Sequence, residues 1–101
     1  MDQIFVGTEL KFAVHLTADG FDMDRDYFLL EIMRGSKVIK SYEKSDLVVD
    51  EDGTYLMCVD SKEIGAGSFD ILITAKIPDG HFSDGYRTEI HKQSLITVKK
   101  I

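Results

Sequence analysis

The chain has 101 residues, with 12 Lys and Arg against 18 Asp and Glu, which gives a formal net charge of −6. This acidic balance argues against nucleic acid as a partner, because phosphates are bound by clustered Lys and Arg. No stretch approaches the roughly 20 apolar residues that would cross a bilayer, so a membrane partner is not expected either. The length predicts a single domain, residues 1–101, and the lone Cys58 leaves no internal disulfide to stabilise it.

The first half of the chain predicts short strands separated by turns. Leu10, Phe12, Val14 and Leu16 alternate with more polar residues, as in a strand with one buried face. The following strands are predicted at Tyr27 to Arg34, Lys37 to Glu43, Leu47 to Val49 and Thr54 to Val59, with a tight hairpin at Arg34-Gly-Ser-Lys37.

The stretch from Asp60 to Gly80 carries the clearest signals. Asp60 and Glu63 have the spacing of a capping box, which predicts one short helical turn near Asp60–Ile64 that Gly65 and Gly67 end. We expect this turn to carry the chain from one sheet to another, with Gly67 at a positive φ. The strand that follows, Phe69 to Ile77, alternates strictly and places Ile73 in the core.

The remainder of the chain also predicts extended structure. Tyr86 to His91 and Ser94 to Lys100 form either one bent strand or two. Seven or eight short strands with frequent turns and no long helix predict an all-β fold, an antiparallel immunoglobulin-like β-sandwich. The same pattern also fits a small closed barrel.

An acidic loop is the most tempting metal site in the sequence. Asp22, Asp24 and Asp26 recur at alternate positions, like the first ligands of an EF-hand. The motif then fails, because Tyr27 stands where a glycine is needed and Met33 where the bidentate glutamate is needed. A solvated acidic turn is the better interpretation, and no metal site is predicted.

Catalytic and cofactor motifs are likewise not predicted. His15, His81 and His91 have no metal-ligand spacing among themselves or with Cys58. Ser68 lies in Gly-Ala-Gly-Ser-Phe, which lacks the nucleophile elbow, and a strand rather than a helix follows these glycines. We therefore expect neither an enzyme nor a cofactor.

The second half of the chain resembles the immunoglobulin-like N-terminal domain of phage baseplate upper proteins and related phage tail modules. The matching features are Asp52-Gly53-Thr54-Tyr55, the crossover from Asp60 to Gly67, the strand beginning at Phe69 and the turn Pro78-Asp79-Gly80. The resemblance implies a structural module that assembles with copies of itself and with other tail proteins. Residues 1–6 contain neither the basic nor the apolar region of a signal peptide, so synthesis in the cytoplasm is expected. The resemblance implies later incorporation into a virion.

The strand from Tyr27 to Arg34 carries apolar residues on both faces, although a sheet in a sandwich buries only one. This excess predicts a subunit interface formed by Tyr27, Leu29, Met33 and Leu72, unless bulges and loops cover them. The alternative function is an adhesion module that binds carbohydrate or a surface protein through Phe21, Phe82 and Tyr86. The chain has no Trp, a residue that sugar-binding surfaces often use, so the adhesion alternative has less support.

Overall fold

A computed structural model of the chain describes residues 3–101. These residues form two β-sheets joined by turns, one short helix and one 3₁₀ turn, so the all-β prediction is confirmed. The elements are β1 (Ile4–Phe5), β2 (Glu9–Val14), β3 (Phe28–Arg34), β4 (Lys37–Glu43), a 3₁₀ turn (Lys44–Asp46), β5 (Val48–Val49), β6 (Tyr55–Asp60), α1 (Ser61–Ile64), β7 (Gly67–Pro78) and β8 (Tyr86–Lys99).

The larger sheet has five strands in the order β1-β8-β7-β3-β4, and the smaller has three in the order β2-β6-β5. All neighbouring strands are antiparallel except β1 and β8, which run parallel. The larger sheet is therefore mixed, where the sequence predicted only antiparallel pairing. The difference is small, because β1 contributes two paired residues.

Strand β7 is central in the larger sheet, with β3 on one side and β8 on the other. Its alternation is as predicted, since Phe69, Ile71, Ala75 and Ile77 are buried on one face. Ile73 lies on the same face but is only half-buried, because an open cleft lies above it. Ile73, which the sequence placed in the core, packs against the core cluster as a partly buried residue.

One core is shared by the inner faces of both sheets. A direct polar link also joins them, since the Tyr42 hydroxyl on β4 donates a hydrogen bond to the Cys58 carbonyl on β6 at 3.1 Å. Packing must hold the sheets together, since a single cysteine cannot form an internal disulfide. The buried apolar residues of this core are Phe28, Leu30, Ile32, Tyr42, Leu47, Met57, Val59, Ile64, Phe69, Ile71 and Val98.

The crossover between the sheets contains the predicted helical turn, α1. The Asp60 carboxylate caps it by accepting a hydrogen bond from the Lys62 backbone N–H at 3.0 Å. Glu63 does not complete a capping box; its carboxylate instead pairs with the Lys40 ammonium at 2.9 Å. Gly65 (φ +79°) ends the helix and Gly67 has the expected positive φ, +145°.

The segment after Gly80 forms one strand rather than two. β8 runs without interruption from Tyr86 to Lys99, although its register with β7 shifts so that Asp70 pairs with Ser94 and Phe69 pairs with Ile96. This shift is a β-bulge, which bends a strand without ending it. Among residues 3–101, no helix has the length and apolar character required to traverse a membrane.

We predict that Gly67→Val lowers the free energy of unfolding by more than about 1 kcal/mol. A valine there would be strained at φ +145°, and its Cβ would lie 3.1 Å from Cδ of Arg34. Urea denaturation measures the effect. The matched control is Gly80→Val, because no atom lies within 4 Å of a Cβ at Gly80; equal losses at both positions would contradict the prediction.

Candidate interaction surface

The outer face of the larger sheet presents a row of uncharged side chains that crosses three strands and has an aliphatic residue at each end. Leu29 on β3 lies opposite Thr74 on β7, and Thr74 lies opposite Ile90 on β8. Directly opposite residues share a face of the sheet, so the three side chains are neighbours. Ile90 is 60% exposed, although it is a large aliphatic residue in a strand.

A second row runs beside the first and is more polar. Leu72 lies between Glu31 and Lys92, so its apolar side chain is flanked by charges of opposite sign. Tyr27, just before β3, is 48% exposed. We call Tyr27, Leu29, Leu72 and Ile90 the outer patch.

Met33 does not belong to this patch, although the sequence placed it there. It is only 8% exposed. The register of β3 with β4 shifts between Ile32 and Met33, which leaves Met33 opposite Val38 on one side and Asp70 on the other. The extra residue of this bulge lies in β4, so Met33 keeps the face that strand alternation assigned to it, but it is covered there, which alternation alone does not reveal.

The inner face of β8 is polar where the matching face of β7 is apolar. His91 lies opposite Ile73, and Glu89 lies opposite Ala75. The space above these residues is bounded by the chain that follows β2 rather than by a strand of the smaller sheet. Water therefore reaches a stretch of inner face that a wider second sheet would bury.

An open cleft of about 320 Å³ lies above these residues. Its other wall is the chain that leaves β2, including His15 and Thr17, and its floor contains Ile73. His15 and His91 both line this cleft, a proximity that the sequence did not predict.

The polar side chains on the inner face of β8 form a chain of hydrogen bonds with one another and with Asp79. The Arg87 guanidinium donates hydrogen bonds to Asp79 at 2.8 Å and to Glu89 at 3.1 Å, and a Glu89 oxygen lies 3.0 Å from Nε2 of His91. The contact with His91, followed by that with Arg87, lowers the pKa of Glu89. The pKa of Asp79 is lowered first by the His81 backbone N–H and then by Arg87.

The carboxylates of the acidic loop accept hydrogen bonds from the loop itself and from β6. The buried Asp26 side chain accepts two hydrogen bonds from the Arg25 guanidinium, both at 2.8 Å, and one from the Asp22 backbone N–H at 2.9 Å. Asp22 accepts from the Asp24 N–H at 2.9 Å, and Asp24 accepts from the Tyr55 hydroxyl at 2.7 Å. These contacts give the three aspartates a structural role.

Among residues 3–101, no group of three or more His, Cys, Asp or Glu is arranged to hold a metal ion. Cys58 is exposed on β6, and the Ser68 hydroxyl is within 3.2 Å of the Thr97 hydroxyl. Within residues 3–101, neither side chain forms a hydrogen bond with a base that would activate it as a nucleophile.

The three aromatic residues of the adhesion alternative have different surroundings. Phe21 is half-buried, and its ring packs edge-on against Phe28 with centroids 6.4 Å apart. Phe82 and Tyr86 are 49% and 45% exposed, at the end of the β7–β8 hairpin.

Sequence reasoning missed Ile90 and the row formed by Arg87, Glu89 and His91. The alternation from Tyr86 to His91 was visible, but the faces could be assigned only from the register with β7. The sequence offered one signal for this surface. Ile90 is a single apolar residue between the polar residues Glu89 and His91.

Comparisons of this chain with protein-family models, with curated proteins and with solved structures found no match.

We predict that Asp26→Asn lowers the melting temperature at pH 7 by several degrees. The pKa of Asp26 is lowered, mainly by hydrogen bonding from Arg25, so its carboxylate stabilises the fold above the ordinary aspartate pKa of about 4. That contribution is lost as the pH falls below this value, through the lower folded-state pKa. Thermal melts should therefore show the variant's deficit shrinking towards pH 2.

The control is Asp19→Asn, since Asp19 is an exposed residue in the same region. A deficit of the same size at pH 7 and at pH 2 would contradict the electrostatic account of Asp26.

Proposed function

We propose that this chain is a non-enzymatic assembly module with an immunoglobulin-like β-sandwich fold. The strand order supports the fold. In chain order, β3, β4, β7 and β8 correspond to strands C, C′, F and G, and they adjoin in the order C′-C-F-G. Strands β2, β5 and β6 correspond to B, D and E, in the order B-E-D.

The observation that carries the function is the outer patch. Tyr27 and Ile90 are about half exposed or more, and Leu29 and Leu72 are only half-buried. Contiguous exposed apolar side chains commonly mark contacts with another protein. The patch lies on the outer face of the layer formed by β4, β3, β7 and β8, where neighbouring strands hold its side chains in fixed register.

The resemblance to phage tail modules supplies the biological setting of the proposal. It points to a component of a phage or prophage tail whose partners are copies of itself and other tail proteins, with the virion as its final location. No catalytic role is proposed. The polar side chains described above serve the folding of the chain and its contacts with partner proteins.

We predict that the purified protein self-associates in sedimentation velocity and that Leu29→Lys weakens the association about tenfold. The substitution would place an ammonium group in a contact that otherwise excludes water. Val49→Lys is the matched control, because Val49 is 53% exposed on the smaller sheet. A parent protein that stays monomeric up to its solubility limit, or equal weakening by both variants, would overturn the proposal.

A further inference from the structure

One edge of the larger sheet lacks a strand partner over most of its length. On that side β8 pairs only with β1, at Val98 and Lys99. From Tyr86 to Ile96, the residues that the structure describes provide no strand on this edge. A long unpaired edge is a template for another strand, and the straight part of β8 before the bulge contains neither Pro nor Gly to block pairing.

The hydrogen bonds at the end of the hairpin determine which groups face the open edge. The Asp79 N–H donates to the Gly85 carbonyl at 2.9 Å, and the Lys76 N–H donates to Tyr27 on the opposite side at 3.0 Å. Because hydrogen-bonded and non-hydrogen-bonded pairs alternate in an antiparallel ladder, odd-numbered residues of β8 bond to β7. The backbone N–H and C=O groups of Thr88, Ile90 and Lys92 therefore point towards the open edge.

We propose that the β8 edges of two copies pair antiparallel around a two-fold axis at Ile90, which joins the two larger sheets into one. The inference rests on the proposed assembly function and adds a second contact between copies, beside the one that the outer patch makes. Ile90 is the midpoint of the straight segment that begins at Tyr86 and ends at Ser94, where the register with β7 shifts. An axis there gives the longest uninterrupted pairing.

This register avoids placing like charges opposite one another. With the axis at Ile90, Glu89 lies opposite His91 of the second copy, and Thr88 lies opposite Lys92 of the second copy. An axis at Glu89 or at Lys92 would instead oppose two identical charges, which is destabilising. Tyr86 lies opposite Ser94 of the second copy, so no pair in this register joins like charges.

The pairing also explains the exposure of Ile90. The two Ile90 side chains meet at the axis on the outer face, and each continues the row formed by Thr74 and Leu29 of its own copy. The two outer patches become one surface. A few partly exposed side chains cannot supply the roughly 800 Å² that each partner buries in a stable interface, and edge pairing adds contact area and backbone hydrogen bonds.

Disulfide trapping tests the register directly. In a Cys58→Ser background, Ile90→Cys should form a covalent dimer under mild oxidation, because the Cα atoms of a hydrogen-bonded antiparallel pair lie about 5.5 Å apart. Two controls should stay monomeric. Thr88→Cys would have to reach its counterpart roughly 13 Å along the strand, and Val49→Cys lies on the smaller sheet.

A backbone variant separates edge pairing from other contacts. Ile90→Pro removes an N–H that points to the open edge, so the monomer should remain folded by circular dichroism while the dimer weakens about tenfold. Ile90→Thr keeps the N–H and should weaken it less. If Ile90→Pro does not weaken association and Ile90→Cys is not trapped selectively, the edge pairing is overturned and the assembly proposal stays intact. A parent protein that never associates would overturn both.

Discussion

The fold depends on the burial of one face of β7. This strand is hydrogen-bonded on both sides, to β3 and to β8, and its inner face contributes Phe69, Ile71, Ala75 and Ile77 to the buried interior. Fully burying one such aliphatic or aromatic side chain contributes on the order of 1.5–3 kcal/mol. Since the chain has no internal disulfide, the positions of β3 and β8 are set by this strand and by the core that it completes.

The unequal width of the two sheets shapes the inner face of β8. Five strands face three, and the part of β8 around Glu89 and His91 shares an open cleft with the chain that leaves β2. Its inner side chains are accordingly polar and pair among themselves, as the contacts of Glu89 with Arg87 and His91 illustrate. Its outer face carries Ile90, which is 60% exposed. The edge of β8 is open for a separate reason, because β1 pairs with it only at Val98 and Lys99.

The sequence was sufficient to predict those elements whose structure depends on neighbouring residues in the chain. The alternation of β7, the two-residue turn between Arg34 and Lys37, and the helical turn after Asp60 were all predictable from neighbouring residues. The exceptions involve distant partners. Glu63 pairs with Lys40 instead of completing the predicted capping box. Met33 is buried beside a bulge that only the pairing of β3 with β4 defines.

The candidate surface followed the same rule. Tyr27, Leu29 and Leu72 could be assigned from strand alternation, because each lies in or beside a strand that was predicted correctly. Ile90 could not, because its face depends on the register of β8 with β7. Only the assembled sheet shows that Ile90 extends the row begun by Leu29.

Amide hydrogen exchange along β8, followed by NMR at low and high protein concentration, tests the central claim most directly. The account predicts slow exchange at Glu89 and His91 at every concentration, because their N–H groups bond to β7. At Thr88, Ile90 and Lys92 it predicts fast exchange in dilute protein and protection in concentrated protein. Exchange at these three residues that is equally fast at both concentrations would contradict an assembly module that pairs through this edge.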